Sequence, residues 1–82
     1  MYSVQIEENA EKFLKKLNKR DKEIILRKIY SIRENPFRFL KRLQGGKLWR
    51  LRIVDYRAIV DVVISANKII VLRIGHRKNV YD

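Results

Sequence analysis

The feature that most constrains the fold of this chain is a change in the spacing of its apolar residues, which occurs just after Gly46. Before that point most apolar residues recur at helical spacing, and beyond it they alternate with polar residues, as in strands that bury one face. The alternating part divides into three runs, residues 48–54, 56–65 and 69–75. Turn residues separate these runs, near Asp55 and at Ala66 and Asn67. Three strands joined by such short turns are predicted to form an antiparallel meander.

The first half of the chain is predicted to contain one short strand and a pair of helices. Residues 2–7 alternate as in a strand, and Asn9 can cap a first helix. A second helix is expected from about Asp21 to about Glu34, and Pro36 ends it because proline disfavours helical geometry in the residue before it. Its buried stripe would consist of isoleucines at helical spacing, Ile25, Ile29 and Ile32. The break between the helices is short, so the two are expected to form an antiparallel hairpin.

This order of elements predicts the fold class. A strand, an α-helical hairpin and a three-strand meander make an α+β architecture with the helices packed on one face of the sheet. A chain of 82 residues has room for one modest hydrophobic core. We therefore expect a single domain over residues 1–82.

The charge of the chain narrows the class of partner. Lys and Arg number 20 against nine Asp and Glu, which gives a net charge of +11. Such a surface attracts polyanions, and binding of that kind weakens as salt rises. An acidic protein would fit the same charge.

Several classes of protein are disfavoured by what the chain contains. It has no cysteine and one histidine, and its carboxylates are scattered, so we expect no metal and no other cofactor. Residues 4–7 lead directly into charged residues, which is unlike a signal peptide, and no apolar run approaches the ~20 residues of a membrane helix. The expected location is the cytoplasm.

The predicted sheet concentrates positive charge. Arg50 and Arg52 share one strand face, and a turn at Val54 and Asp55 would set Arg52 opposite Arg57. Like charges directly opposite each other destabilise a sheet. Residues 38–57 include seven basic residues and one acidic residue. The pattern fits an anion site, and it also fits a solvated face on which the arginines splay apart.

The end of the chain adds a second set of reactive groups. Within residues 75–82 an imidazole, a guanidinium, an ammonium and a phenol follow the last strand, from His76, Arg77, Lys78 and Tyr81. Cutting RNA without metal needs a base on the 2′-hydroxyl, a cationic clamp on the phosphate and an acid for the leaving oxygen. Arginine suits the clamp because it stays charged and its fork matches phosphate oxygens. A tyrosine can stack on a base.

The chain resembles the RelE/ParE toxin superfamily over nearly its whole length. The motifs that carry the resemblance are Leu43-Gln44-Gly45, Trp49-Arg50-Leu51-Arg52, Asp55-Tyr56-Arg57 and Gly75-His76-Arg77, with Tyr81 behind. RelE-type members cut mRNA in the ribosomal A site and are held inactive by a cognate antitoxin. ParE-type members share the fold, poison DNA gyrase and lack the catalytic basic and aromatic set.

The resemblance implies roles for individual residues. Arg57 would stabilise the transition-state phosphate, Arg77 would be the principal catalytic arginine, and Tyr81 would orient the base. Arg52 would join this catalytic set as a phosphate ligand. Further RNA and phosphate contacts are expected from basic residues of the sheet and tail, Lys47, Arg50, Arg73 and Lys78.

The general base is where the sequence departs from the family. The best-described bacterial members carry lysines at the positions of Arg50 and Arg52, and one of those lysines has been proposed as the base. An arginine does not give up its proton at working pH. His76 is the candidate substitute, since the unperturbed pKa of histidine lies near ~6.5. On an extended strand, however, His76 would point to the face opposite Arg77.

The sequence therefore predicts a type II toxin that is a ribosome-dependent, metal-independent endoribonuclease. The expected partners are a RelB-like antitoxin, mRNA and ribosomal RNA. Two alternatives stay open. One is a ParE-like gyrase poison, and the other is a non-catalytic RNA-binding or inactive toxin module.

Overall fold

The computed structural model of the chain describes residues 1–78. Two helices lie against one face of a five-stranded sheet. In chain order the elements are β1 (Ser3–Ile6), α1 (Glu8–Lys15), α2 (Lys19–Ser31), β2 (Lys41–Arg42), β3 (Trp49–Ile53), β4 (Tyr56–Val63) and β5 (Lys68–His76). Short 3-10 turns occur at Pro36–Arg38 and Ile64–Ala66.

The sheet has the spatial order β1-β5-β4-β3-β2. The predicted meander is confirmed, because β3, β4 and β5 pair antiparallel in sequence order. Strand β1 pairs parallel to β5, which makes β1 one edge of the sheet and β2 the other. The predicted α+β class, with a strand, a helical hairpin and a meander, is likewise confirmed.

The helix boundaries differ from the prediction. Helix α1 has Glu7 rather than Asn9 at its N-cap position, without a side-chain capping hydrogen bond, because β1 leads directly into the helix and the Glu7 N–H still donates to the Val71 carbonyl at 2.9 Å. Helix α2 begins two residues before Asp21, since the Asn18 side chain accepts a hydrogen bond from the Asp21 N–H at 2.8 Å and caps the helix. It ends at Ser31, three residues before the predicted end.

The core lies between the helices and the sheet. The expected isoleucine stripe is fully buried, with Ile25, Ile29 and Ile32 each 0% exposed. The facing strands contribute alternate residues, Leu51, Ile53, Ala58, Val60, Ile69 and Val71. Alternation along β3 and β4 therefore fixes which side chains remain for the outer face of the sheet.

The basic connector between α2 and β3 contains structure that its sequence did not indicate. Lys41 and Arg42 form β2, with Lys41 opposite Arg50 and Arg42 opposite Trp49. A two-residue strand has no alternation to reveal it, so its position depends on pairing with β3. In residues 1–78 no helix has the length and apolar character to cross a membrane.

Candidate functional site

The β3–β4 hairpin brings the sheet arginines together on the face away from the helices. Arg52 lies opposite Arg57 in the register, as the sequence predicted, and Arg50 lies opposite Ile59. Their inward neighbours Leu51 and Ala58 are buried in the core. Because side chains alternate along a strand, these arginines point to the opposite side of the sheet.

The hairpin turn holds the chain that follows β5. Val54 and Asp55 form the turn, and Val54 has a φ of 54°. Positive φ is unfavourable for a β-branched residue. The Arg77 N–H donates a hydrogen bond to the Asp55 carbonyl at 2.9 Å. The turn therefore holds Arg77 at the same end of the sheet as Arg57.

A cavity of about 370 Å³ opens between the hairpin and the connector. Among the lining residues within 1–78, six are cationic and none is acidic: Arg38, Lys41, Arg50, Arg52, Arg57 and Arg77. The other two are Phe39 and Leu40. The Nε atom of Arg77 is buried and makes no hydrogen bond with any residue in 1–78. Guanidinium groups gathered in this way suit phosphate oxygens, which accept charge-assisted hydrogen bonds. We call this space the arginine cavity.

A second cavity of about 720 Å³ adjoins the first. Asp55, His76 and Lys78 line it, together with Arg57 and Arg77, which line both cavities. Arg57 and Arg77 thus lie at the junction of the two spaces.

His76 reaches the second cavity from the helix side of the sheet. It pairs with Tyr56 in the register, and the two rings lie with centroids 5.0 Å apart. The Phe13 ring of α1 packs edge-on against His76 at 5.9 Å. His76 therefore lies on the face opposite Arg57, although it also lines the cavity that Arg57 lines.

Other predicted site residues lie elsewhere. Lys47 lines a separate cavity with Trp49 and Arg42. Arg73 is exposed and opposite Ile59, and it does not line either cavity of the site. Tyr81 lies outside the described residues.

Two cationic residues of the arginine cavity were not predicted as site residues, Arg38 and Lys41. Both belong to the connector: the pairing of β2 with β3 sets Lys41 opposite Arg50, and Arg38 ends the 3-10 turn that precedes β2. The basic composition of residues 38–42 was the available signal. Without knowledge of the β2 pairing, the basic composition did not indicate which face of the sheet the connector would contact.

Tyr56 joins the hairpin to α2 behind the arginine cavity. Its hydroxyl donates a hydrogen bond to Asp21 at 2.7 Å. This bond, burial, and the negative charges of Asp21 and Asp55 raise the pKa of the Tyr56 phenol above its ordinary value of 10.0. Since Arg57 follows Tyr56 directly, the contact fixes the strand that carries Arg57. No group of three or more His, Cys, Asp or Glu side chains in residues 1–78 is arranged to hold a metal ion.

Comparison with known proteins assigns the chain to a family. The family model described as the ParE toxin of type II toxin–antitoxin systems, parDE, matches residues 4–81. No curated protein matches the chain significantly.

Solved structures share the fold. A chain of the archaeal RelE–RelB complex from Pyrococcus horikoshii is 27% identical, with a TM-score of 0.80 over 96% of this chain and 98% of that chain. A chain of the RelBE2 toxin–antitoxin complex from Mycobacterium tuberculosis is 23% identical, with a TM-score of 0.83 over 93% and 98%. The isolated RelE toxin of E. coli is 20% identical, with a TM-score of 0.79 over 93% and 84%. The chain therefore belongs to the ParE toxin family of type II toxin–antitoxin systems, within the RelE/ParE superfamily, and it has the fold of the RelE toxins.

Proposed function

We propose that this protein is a RelE-type toxin that cuts mRNA in the ribosomal A site and so blocks translation in the cytoplasm. The observation that carries the proposal is the arginine cavity, in which Arg57 and Arg77 meet at the junction of two open spaces. A gyrase poison acts by binding a protein and has no need of a phosphate clamp.

The proposed reaction is metal-independent attack of a ribose 2′-oxygen on the adjacent phosphorus. The P–O5′ bond breaks as the P–O2′ bond forms, which leaves a 2′,3′-cyclic phosphate and a free 5′-hydroxyl. Negative charge builds on the non-bridging oxygens in the transition state. Arg57 and Arg77 would bind those oxygens, and preorganised donors of this kind are commonly worth a factor of about 10²–10³ in rate. Arginine stays protonated, so the 2′-hydroxyl proton would pass to solvent rather than to these residues, and the leaving 5′-oxygen would take a proton from solvent.

The remaining predicted residues have supporting parts in this scheme. Arg50 and Arg52 would hold phosphates beside the scissile one, with Lys78 at the second cavity. Tyr81 would orient a base, as the family resemblance implies. Lys47 and Arg73 would contact RNA beyond the two cavities. We assign His76 to packing against Tyr56 and Phe13 rather than to proton transfer, because its ring lies on the helix side.

A cognate RelB-like antitoxin is the proposed protein partner. The family is defined by toxin–antitoxin pairs, and the solved relatives include a RelE–RelB complex from Pyrococcus horikoshii. With a net charge of +11, the toxin would favour an acidic antitoxin segment.

The test is direct cleavage. Purified protein is added to ribosomes programmed with a defined mRNA, and cut sites are mapped by primer extension, with DNA gyrase supercoiling assayed in parallel. We expect cuts within the A-site codon and no effect on gyrase. Inhibited gyrase together with intact mRNA would reject the proposal in favour of a ParE-like poison. An intact mRNA with retained RNA binding would indicate a non-catalytic module.

Arg77→Ala provides the site test. Arg77 follows the last strand, so its loss should leave the fold unchanged while slowing cleavage by about 10²-fold or more. Arg20→Ala is the matched control, since Arg20 is exposed on α2 and lines neither cavity. Cleavage by Arg77→Ala at the parent rate would show that the site assignment is wrong.

A further inference from the structure

We propose that Phe39 is a stacking surface for an RNA base beside the arginine cavity. The inference rests on the proposed function and deepens it, because it adds a position for an RNA base to the proposed phosphate site.

The backbone around Phe39 is held rigidly, although the side chain is exposed. Pro36 and Leu40 are buried on either side of it. The N–H groups of Phe39 and Leu40 both donate to the Pro36 carbonyl, at 3.0 and 3.1 Å. The Phe39 side chain is nevertheless 43% exposed. Pro36 and Leu40 therefore cover the core at this point, and the Phe39 ring is not needed for that purpose.

The surroundings of the Phe39 ring are cationic. Phe39 lines the arginine cavity together with Arg52, Arg57 and Arg77. The Lys28 ammonium lies 4.9 Å from the centroid of the ring, over one of its faces. A base would stack on the opposite face of the ring. An aromatic ring next to cationic groups is the combination by which proteins hold single-stranded nucleic acid, since the cations bind the backbone and the ring stacks on a base.

Phe37 provides an internal comparison. It belongs to the same connector and is 39% exposed, close to the value for Phe39. Its ring, however, packs on Trp49 with centroids 5.1 Å apart. It lines a separate cavity rather than the arginine cavity. Two phenylalanines of similar exposure thus differ in whether they border the proposed phosphate site.

The experiment measures RNA binding without cutting. A short single-stranded RNA carries 2-aminopurine in place of one base and 2′-O-methyl groups throughout, so the 2′-oxygen cannot attack. A second oligonucleotide of the same length is abasic and has the same number of phosphates. Affinities at one fixed salt concentration are measured for the parent, Phe39→Leu, Phe39→Tyr and Phe37→Leu. Leucine keeps apolar volume without a π face, and thermal melting verifies that each variant is folded.

We expect Phe39→Leu to bind the base-containing RNA about tenfold more weakly and to lose the quenching of 2-aminopurine fluorescence. Its affinity for the abasic strand should equal that of the parent, since phosphate binding is unchanged. Phe39→Tyr should restore base binding, and Phe37→Leu should match the parent.

The inference is overturned if Phe39→Leu binds both oligonucleotides like the parent, or weakens both equally. Weaker binding of the antitoxin with unchanged RNA binding would also overturn it, in favour of a protein contact. The readout is independent of catalysis. If the parent protein does not cut mRNA but its binding to the base still requires Phe39, the proposed function is rejected. The inference that Phe39 stacks on a base is then retained.

Discussion

Replacing Arg52 by glutamine should stabilise the fold and weaken its binding to RNA. Arg52 is exposed and lies directly opposite Arg57, and four other cationic residues line the same cavity, Arg38, Lys41, Arg50 and Arg77. For two guanidinium groups about 7 Å apart, the repulsion is about 0.6 kcal/mol in salt-free water and about 0.3 kcal/mol at 0.1 M salt. The four more distant charges add about 0.1–0.2 kcal/mol each at 0.1 M salt, where the Debye length is about 10 Å.

The total repulsion at Arg52 is therefore about 1 kcal/mol. Glutamine is shorter and loses contacts of the aliphatic stem, which lowers the expected gain in stability by a few tenths of a kcal/mol. For a domain of this size, a gain of about 0.5–1 kcal/mol raises the melting temperature by about 2–8 °C. The assay is thermal unfolding followed by circular dichroism, at 0.1 M and at 1 M NaCl. At 1 M salt the Debye length falls to about 3 Å, so the gain should disappear.

The matched control is Arg20→Gln, which removes the same charge from the first turn of α2. A cation there opposes the helix dipole, so the control should itself gain about 0.3 kcal/mol. The reasoning would be refuted if Arg52→Gln destabilised the protein at low salt, or gained no more than Arg20→Gln. The same variant should bind the uncleavable RNA several-fold more weakly than the parent, with a shallower dependence on salt.

Three further predictions concern the support of the site. Tyr56→Phe should lower the free energy of unfolding by about 1–2 kcal/mol, because it removes a hydrogen bond to a carboxylate, and chemical denaturation measures the change. The raised pKa of Tyr56 means that the folded state holds the phenolic proton more tightly than the unfolded state. The stabilisation that the protonated phenol provides is therefore fully present below pH 10 and is lost as pH rises through the raised pKa. The difference between parent and Tyr56→Phe should accordingly shrink above pH 10. Val54→Gly should stabilise the protein by up to about 1 kcal/mol, since it relieves a positive φ at a side chain that is 65% exposed, and a lower denaturation midpoint would contradict this. His76→Gln should leave the shape of the pH–rate profile for mRNA cleavage unchanged, and the disappearance of an ionisation from that profile would restore His76 as the base.

Much of the fold could be predicted because its signals are local. The alternation in residues 48–75 reflects strands that bury one face, and the turn at Val54 and Asp55 was sufficient to predict that Arg52 faces Arg57. The parallel pairing of β1 with β5 joins segments from opposite ends of the chain, and no local pattern specifies it. The start of α2 was misplaced by two residues because Asn18, which caps it, lies among neighbouring residues that are equally able to cap.

The candidate site was predictable only in part for a related reason. Arg50, Arg52 and Arg57 belong to one hairpin, so strand parity was enough to place them on one face. Lys41 reaches the arginine cavity through β2, a strand of two residues that is specified by its partner rather than by its own sequence, and Arg38 lies in the 3-10 turn that precedes β2. Arg73 lies opposite Ile59 in the register and lines neither cavity, which sequence spacing alone could not resolve.

Three features of this fold that oppose stability lie in or next to the segments that line the arginine cavity. Val54 adopts a positive φ, Arg57 faces Arg52, and the Phe39 ring is left exposed. A sequence shaped only for stability would place glycine, a counter-charge and a polar residue at these positions, and each change is chemically simple. Local conflicts of this kind are expected where function rather than folding determines the residue. Their proximity to the arginine cavity is an argument for the site that does not depend on family resemblance, and a phosphate bound there would reduce the repulsion between Arg52 and Arg57.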